Sequence, residues 1–251
     1  MRIRQFEEIS NNAWPALRTF QYDGWHLRFA NGVTKRSNSV NLLYPSTIDP
    51  EKKIAFCEKL FLSRNITPTF KITAIADPLD IDDRLEAMGY YVHSTLSFQI
   101  ADLRKKKIAA DPGLTIKSET DERWIAEFIR MNMFDQAALP TYRAIMDQVL
   151  TPKCLIEITE GTKTIGVGMA VLEGKFLGLF DIVIDKKYRG RGHGNRLVNG
   201  LLEWGIVRGA ETAYLQVLTG NLLAQKLYSN LGFKEIYLYW YRMKKIDSKT
   251  S

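Results

Sequence analysis

Cysteine and histidine are both scarce in these 251 residues. Two cysteines, Cys57 and Cys154, are too few for a disulfide framework. Each sits among apolar neighbours, where a small buried hydrophobe explains it better than a nucleophile. The three histidines, His26, His93 and His193, show no close Cys/His spacing, so no metal site is expected. No apolar run approaches the length needed to cross a bilayer, and a membrane partner is not expected. The first residues, Met1 to Glu8, lack the apolar stretch of a secretory signal and carry acids early. A cytoplasmic location is the default expectation. A charged tail is missing too. The net charge of +7 divides into 16 Lys/Arg against 12 Asp/Glu in residues 1–110 and 19 against 16 in residues 111–251. A dedicated nucleic-acid arm is therefore not expected.

What remains is ordinary for a folded chain: 45% apolar and 25% charged residues. The length suits one large domain or two small ones. A boundary falls at residues 103–113, where Arg104-Lys105-Lys106-Lys107 is followed by an Asp111-Pro112-Gly113 turn signal. The expected division is 1–107 and 112–246. After the turn, Leu114–Lys117 reads as a strand. A helix starts at Asp121, with Thr120 or Asp121 as N-cap, and a second covers Thr141–Val149. Cys154–Glu160, Thr164–Leu172 and Phe176–Ile184 read as an antiparallel meander joined by tight turns. A glycine-rich loop, a helix from Asn195 to Arg208, a strand Thr212–Leu218, a helix Asn221–Asn230 and a strand Tyr237–Met243 follow. Strand, loop, helix, strand makes a crossover, so Phe176–Ile184 and Thr212–Leu218 should run parallel in a mixed sheet.

The front half reads as a hairpin, Trp25–Ala30 and Thr34–Tyr44, then a helix Pro50–Arg64, a strand Thr69–Ala76, a helix Asp80–Met88 and a strand Tyr91–Ile100. A faint repeat links the halves. Met88-Gly89-Tyr90 and its following strand match Leu231-Gly232-Phe233 and Tyr237–Met243 without a gap, which sets Leu85 opposite Tyr228.

Arg189-Gly190-Arg191-Gly192-His193-Gly194 lies where a strand ends and a helix begins. Glycine lets the backbone curl around a cluster of oxygens. The first helical amides have no intrahelical partner, and the helix dipole adds positive potential. These are the elements of a phosphate site, and Lys186, Lys187, Arg189, Arg191 and Arg196 strengthen it. Two common phosphate loops are excluded. Asn195-Arg196 stands where the nucleotide P-loop needs Lys-Ser/Thr. The strand ending at Leu218-Thr219 lacks the acid of a dinucleotide site.

The order Arg189-x-x-Gly192-x-Gly194, Asn221, Tyr228 and Leu231-Gly232-Phe233, with strands between, resembles the GNAT superfamily of N-acetyltransferases. The resemblance covers about 130 residues of the C-terminal half. The front half resembles a degenerate copy without the loop, as in tandem members. The resemblance implies two GNAT-like α/β (α+β) domains. Each would be a mixed, mostly antiparallel sheet flanked by helices, with a parallel strand pair splayed around the acyl-CoA site in the C-terminal domain. It also implies acetyl-CoA as co-substrate. The loop Arg189, Gly190, Arg191, Gly192, His193 and Gly194 would hold the pyrophosphate. Ile182, Val183 and Ile184 would pair with the pantetheine arm like an added strand. Asn221 would bond to the arm or the loop, Ala224 would also contact the cofactor, and Tyr228 would face the thioester sulfur.

The implied reaction is direct attack by a neutral amine on the thioester. An alkyl amine has a pKa of about 10, so it must first lose a proton. Tyr228 is the candidate acid for the leaving thiolate, and a strand amide near Val183 the candidate oxyanion donor. Asp181 is the candidate base, since an acid inside a strand wants a partner or a task. A structural carboxylate is the plainer explanation of it. His193 and relayed water are the other candidates. The Tyr237–Tyr241 run reads as core strand with members that reach a cleft. The acceptor, a small-molecule or peptide amine, is unnamed by the sequence, and a homodimer stays open. A CoA-binding regulatory module without turnover is the alternative, and retention of Tyr228 favours the enzyme. A third reading, an RNA-associated protein, draws only on a pI near 9.3.

Overall fold

A computed structural model describes residues 3–245. The chain packs as two compact units. One holds the residues up to Ser97 together with those from Tyr237 on, and the other spans Phe98–Ile236.

The first unit opens with a helix the sequence reading did not anticipate, α1 (Ile3–Ala13), which buries Ile3, Phe6, Ile9 and Ala13. Its strands are β1 (Arg18–Tyr22), β2 (Trp25–Phe29), β3 (Val40–Leu42) and β4 (Thr69–Ile72), with helices α2 (Pro50–Leu62) and α3 (Ile81–Ala87). The strand β1 was also unanticipated, because its burial pattern is almost wholly exposed and carries no alternation. Asp23-Gly24 forms a tight turn with both residues at positive φ, and β1 pairs antiparallel with β2 across it. The expected Trp25–Tyr44 hairpin exists as β2 against β3, with a short 3-10 turn at Lys35–Ser37 between them. Asp49 caps α2 through the Lys52 amide, and Pro50 stands in its first turn. Trp25, Leu27, Val40, Phe70, Ile54, Cys57, Phe61, Ile81 and Leu85 make the core.

The second unit contains β6 (Leu114–Lys117), α4 (Glu122–Asn132), α5 (Leu139–Asp147), β7 (Lys153–Glu160), β8 (Lys163–Glu173), β9 (Phe176–Ile184), α6 (His193–Ile206), β10 (Thr212–Leu218) and α7 (Leu222–Asn230). The meander is as expected: β7 pairs antiparallel with β8, and β8 with β9. Strand β10 is parallel to β9. Asp121 caps α4, accepting from the Trp124 amide. Helix α6 lies over β7, β8 and β9, with Leu197, Val198, Leu201 and Leu202 fully buried against Ile156, Leu177 and Leu179.

The strands that close each unit do not come from the same half of the sequence. Strand β5 (Tyr91–Asp102) is the hydrogen-bonded neighbour of β10, and β11 (Lys234–Met243) that of β4. In the second unit Phe98 stacks on Tyr214 with centroids 5.6 Å apart, and the Leu103 amide donates to Glu211. In the first unit Tyr241 registers with Lys71, the Tyr237 hydroxyl donates to Glu7 at 2.8 Å, and Arg242 bonds Asp82 and Glu86. The division at 107/112 follows sequence position alone and so assigns each closing strand to the half that encodes it. The contacts group Tyr237–Lys245 with the first unit instead.

The repeat is visible at the level of single bonds. Gly89 and Gly232 have φ of +85° and +86°. The Tyr90 amide donates to Leu85, and the Phe233 amide to Tyr228, at 2.9 and 3.0 Å. Both are glycine-terminated helix ends with the same 5-residue closure.

Candidate functional site

The parallel pair β9–β10 begins in register at Phe176 with Thr212 and stops at Leu179 with Leu215. Strand β9 continues to Ile184 and β10 to Leu218. Beyond Leu179 the two strands have parted. The cause lies in β9. Between Phe180, opposite Met169, and Val183, opposite Val167, β9 carries one residue more than β8. This is a β-bulge, and Asp181 occupies it at φ +51°. Aspartate tolerates this left-handed conformation better than most side chains. No local pattern marks Asp181 for this backbone, because a bulge is a property of two strands in register.

Past the bulge, the Asp185 amide donates to Ile165 at 2.8 Å. Strand alternation therefore turns the Val183 amide toward β8, and the amides of Ile182 and Ile184 toward the side that β10 has left. Val183 is buried at 7% exposure, and its amide is committed to the sheet side. Ile182 and Ile184 are the residues with backbone groups to offer.

Asp185 caps a short 3-10 turn, Lys186–Tyr188, by accepting from the Lys187 amide at 3.1 Å. Arg130 and Lys163 also reach it, at 3.1 and 3.5 Å. The Lys187 amide above all, with help from these two cations, holds its carboxyl below the usual range. The turn sets up the glycine loop. Gly190 and Gly192 have φ of +75° and +81°, and a Cβ on either would meet nothing within 4 Å. Gly192 is the N-cap of α6 and offers no side chain for the cap. The first backbone bond of the helix runs from the Arg196 amide to Gly192, so the amides of His193, Gly194 and Asn195 have no partner inside α6. A Cβ on Gly194 would stand 3.3 Å from Leu227, which puts the start of α6 against α7.

The cations divide by what they touch. Arg189 donates from Nε to the Ile184 carbonyl at 2.9 Å and braces the strand end. Arg191 and Lys163 lie over the Tyr188 ring, at 5.5 and 4.9 Å from its centroid. Arg196 is bound to Asp111 at 2.8 Å, which removes it from the free charge of the loop. Lys186, Lys187 and Arg191 remain exposed. The His193 ring is half-buried, and its Nδ1 makes no hydrogen bond among the described residues.

On α7, Asn221 is the N-cap, and its side chain accepts from the Ala224 amide at 3.2 Å. Tyr228 is buried at 8% exposure, edge-on to Phe233 at 5.8 Å. Burial pushes its hydroxyl up to about 12, so it carries its proton at neutral pH. The sequence pattern did not reveal Gly178. A Cβ there would stand 2.5 Å from the Tyr214 hydroxyl and from Phe180, so Gly178 admits the Tyr214 ring where the paired part of β9 and β10 ends. No group of three or more His, Cys, Asp or Glu side chains suited to a metal occurs among the described residues.

The parted strands, the bulge and the loop are one arrangement within the second unit. The whole chain matches in kind: the model of the family described as "Probable histone acetyltransferase Rv0428c C-terminal" covers residues 1–242. The chain belongs to that family, and it is a GNAT acetyltransferase. The Bacillus subtilis protein named "Uncharacterized N-acetyltransferase YobR" is 30% identical over 249 residues, which is 97% of this chain and 99% of that protein. Among solved structures, a GCN5-related N-acetyltransferase from Kribbella flavida superposes with a TM-score of 0.66 at 14% identity, over 97% of this chain and 96% of that one. A tandem GNAT protein from the clavulanic acid biosynthesis pathway has a TM-score of 0.56 at 14% identity, over 79% and 70%. At these identities the structures speak for the fold. GNAT acetyltransferases generally use acetyl-CoA and transfer its acetyl group to an amine. Among the described residues of this acetyltransferase, no helix is long and apolar enough to cross a membrane.

Proposed function

We propose that this acetyltransferase moves the acetyl group of acetyl-CoA to a primary amine by direct attack, at a site lying wholly in residues 98–236. The observation that carries the reading is the parting of β9 from β10 at the Asp181 bulge, immediately before the glycine loop. The residues fit the co-substrate. Gly190 and Gly192 leave open space where a side chain would stand, and the unbonded amides of α6 face outward with the helix dipole behind them. The pyrophosphate sits there, with Arg191 beside it and Arg189 holding the loop to Ile184. The pantetheine arm takes the strand position that β10 has left, on the backbone groups of Ile182 and Ile184. Asn221 fixes the start of α7, with Ala224 in its first turn, so it acts on the arm chiefly through the helix.

Acetyl-CoA, when bound, supplies the thioester. The chain's own groups then have three tasks. The strand amide near Val183 that donates to the carbonyl oxygen is that of Ile182, because alternation aims it into the gap. Tyr228 holds a proton that it gives to the departing sulfur. Asp181, in the bulge beside the gap, takes the proton of the amine, directly or through water. The acceptor is a small-molecule or peptide amine.

The test is calorimetric titration with acetyl-CoA, alongside thiol release over a panel of amines, for the wild type and Tyr228→Phe. Loss of a general acid lowers kcat by about 10²-fold or more, with acetyl-CoA affinity kept. A Tyr228→Phe enzyme with unchanged kcat would remove Tyr228 from the chemistry. Wild-type protein that does not bind acetyl-CoA would overturn the reading of the loop.

A further inference from the structure

The first unit carries a groove that acetyl transfer does not use. It has a volume of about 470 Å³ and runs between strand β1 and helix α2. Its floor is Phe20, Phe29, Phe56 and Leu60, and its rim holds Arg18 and Arg64. The aromatic side chains pack on one another but remain open: Phe20 and Phe56 lie 6.0 Å apart and are 45% and 37% exposed.

The strand beside the groove has an unpaired edge. Among the described residues, strand β1 ends the strand order and has β2 as its one neighbour. The Arg28 amide donates to Ser39, so in β2 the even residues bond β3 and Trp25, Leu27 and Phe29 bond β1. Their register partners are Tyr22, Phe20 and Arg18. The backbone groups of Thr19 and Gln21 therefore point away from the sheet. Two N–H and two C=O groups stand ready for another strand.

The charge around the groove is of one sign. Neither Arg18 nor Arg64 forms an ion pair with an acid among the described residues. Arg64 donates to the Leu60 carbonyl and lies 5.1 Å from the Phe29 ring. Lys59, exposed and one helical turn from Phe56, adds a third cation. A second copy of the chain would bring the same cations to the same edge, and like charges directly opposite one another disfavour that pairing.

We propose that the edge of β1 and its groove bind an extended acidic segment of a partner protein by strand addition. One apolar side chain sits on Phe20, Phe29 and Phe56. A carboxylate two positions along, toward Phe29, meets Arg18 and Arg64, which both stand at that end. Backbone bonds to Thr19 and Gln21 set the register. Five residues of β1 span about 17 Å, so the motif is short: an apolar residue with an acid two positions away on the side of Arg18.

The experiment uses the full chain. A 12-residue peptide library displayed on phage is selected on wild type and counter-selected on the Arg18→Glu/Arg64→Glu variant. Enriched peptides are synthesised and measured by fluorescence polarisation. The expected result is a consensus with an acid two positions to one side of an apolar residue, with binding weakened at least about tenfold by either reversal. Lysine-substituted peptides should recover the double variant. Thr19→Pro removes one outward N–H without touching a β1–β2 bond, and it should weaken the same peptides while leaving the melting temperature near wild type. Peptides that ignore the reversals, or a selection that enriches nothing over the variant, would overturn the proposal. So would a wild-type dimer in sedimentation that Thr19→Pro splits, because the edge would then serve a second copy.

Discussion

Replacing Gly192 by aspartate separates the backbone role of the loop from its role toward the pyrophosphate. Gly192 has φ +81°, and a Cβ there meets no atom within 4 Å. The folded chain has room for the side chain, so the stability cost is conformational. A left-handed residue other than glycine costs about 1–2 kcal/mol, with aspartate at the low end. For a chain of this size that lowers Tm by about 2–4 °C. Gly89 provides the matched control, with φ +85° and again nothing within 4 Å, in the other unit and far from the loop in sequence. Gly89→Asp should cost as much or slightly more, because its carboxylate stands at a helix C-terminus and that of Gly192→Asp at a helix N-terminus. The two variants differ in what the carboxylate faces. At about 4 Å from one phosphate charge, repulsion is about 1 kcal/mol in water and about 4 kcal/mol near a protein surface. Each 1.4 kcal/mol is tenfold in Kd, so acetyl-CoA should bind Gly192→Asp at least about fivefold more weakly than Gly89→Asp at low salt. Thermal melts and calorimetric titration of both variants measure the two effects. If Gly192→Asp binds acetyl-CoA within about twofold of Gly89→Asp, the loop does not hold the pyrophosphate.

Three other perturbations test the surrounding structure. Gly178→Ala drives a Cβ into the buried Tyr214 ring, 2.5 Å from its hydroxyl. It should destabilise the protein by about 1–3 kcal/mol in urea unfolding, and a neutral effect would mean the ring does not seat there. The Asp185 carboxylate is held below its ordinary value of 3.8, by the Lys187 amide first and by Arg130 and Lys163 after it. Its contribution is present above that value and lost as pH falls through the folded value. The stability gap between wild type and Asp185→Asn, followed by urea midpoints, should therefore narrow on acidification below about pH 4. Burial pushes both thiols, Cys57 and Cys154, up to about 12. Neither should react with a thiol reagent in the native protein at neutral pH, and both should react on unfolding.

Local signals in the sequence carried most of the second unit. Phe176–Ile184 and Thr212–Leu218 coincide with β9 and β10, and Asp121 and Asn221 cap the helices they precede. Alternation, turns and caps act within a few residues, and so they are written where they act. The glycine spacing of 190–194 gave the loop for the same reason, since positive φ is demanded of single residues. Local signals failed where the partner decides the outcome. Strand β1 is exposed on both faces and shows no period. Helix α1 was missed because it includes Glu7, an acid that is fully buried only because Lys71 and Tyr237 reach it from distant strands.

The sequence by itself determined the residues available: closely spaced glycines before a helix, a tyrosine before Leu231-Gly232-Phe233, cations near the loop, and no metal-type spacing. The tertiary structure decided how that chemistry is disposed. It put Asp181 in a bulge, which parts β9 from β10 and aims Ile182 and Ile184, with Val183 turned to β8. It neutralised Arg196 through Asp111, 85 positions away. It also packed Tyr237–Met243 with β4 in the first unit. Each of these depends on register or pairing between segments far apart in the chain, and a single strand read alone carries neither.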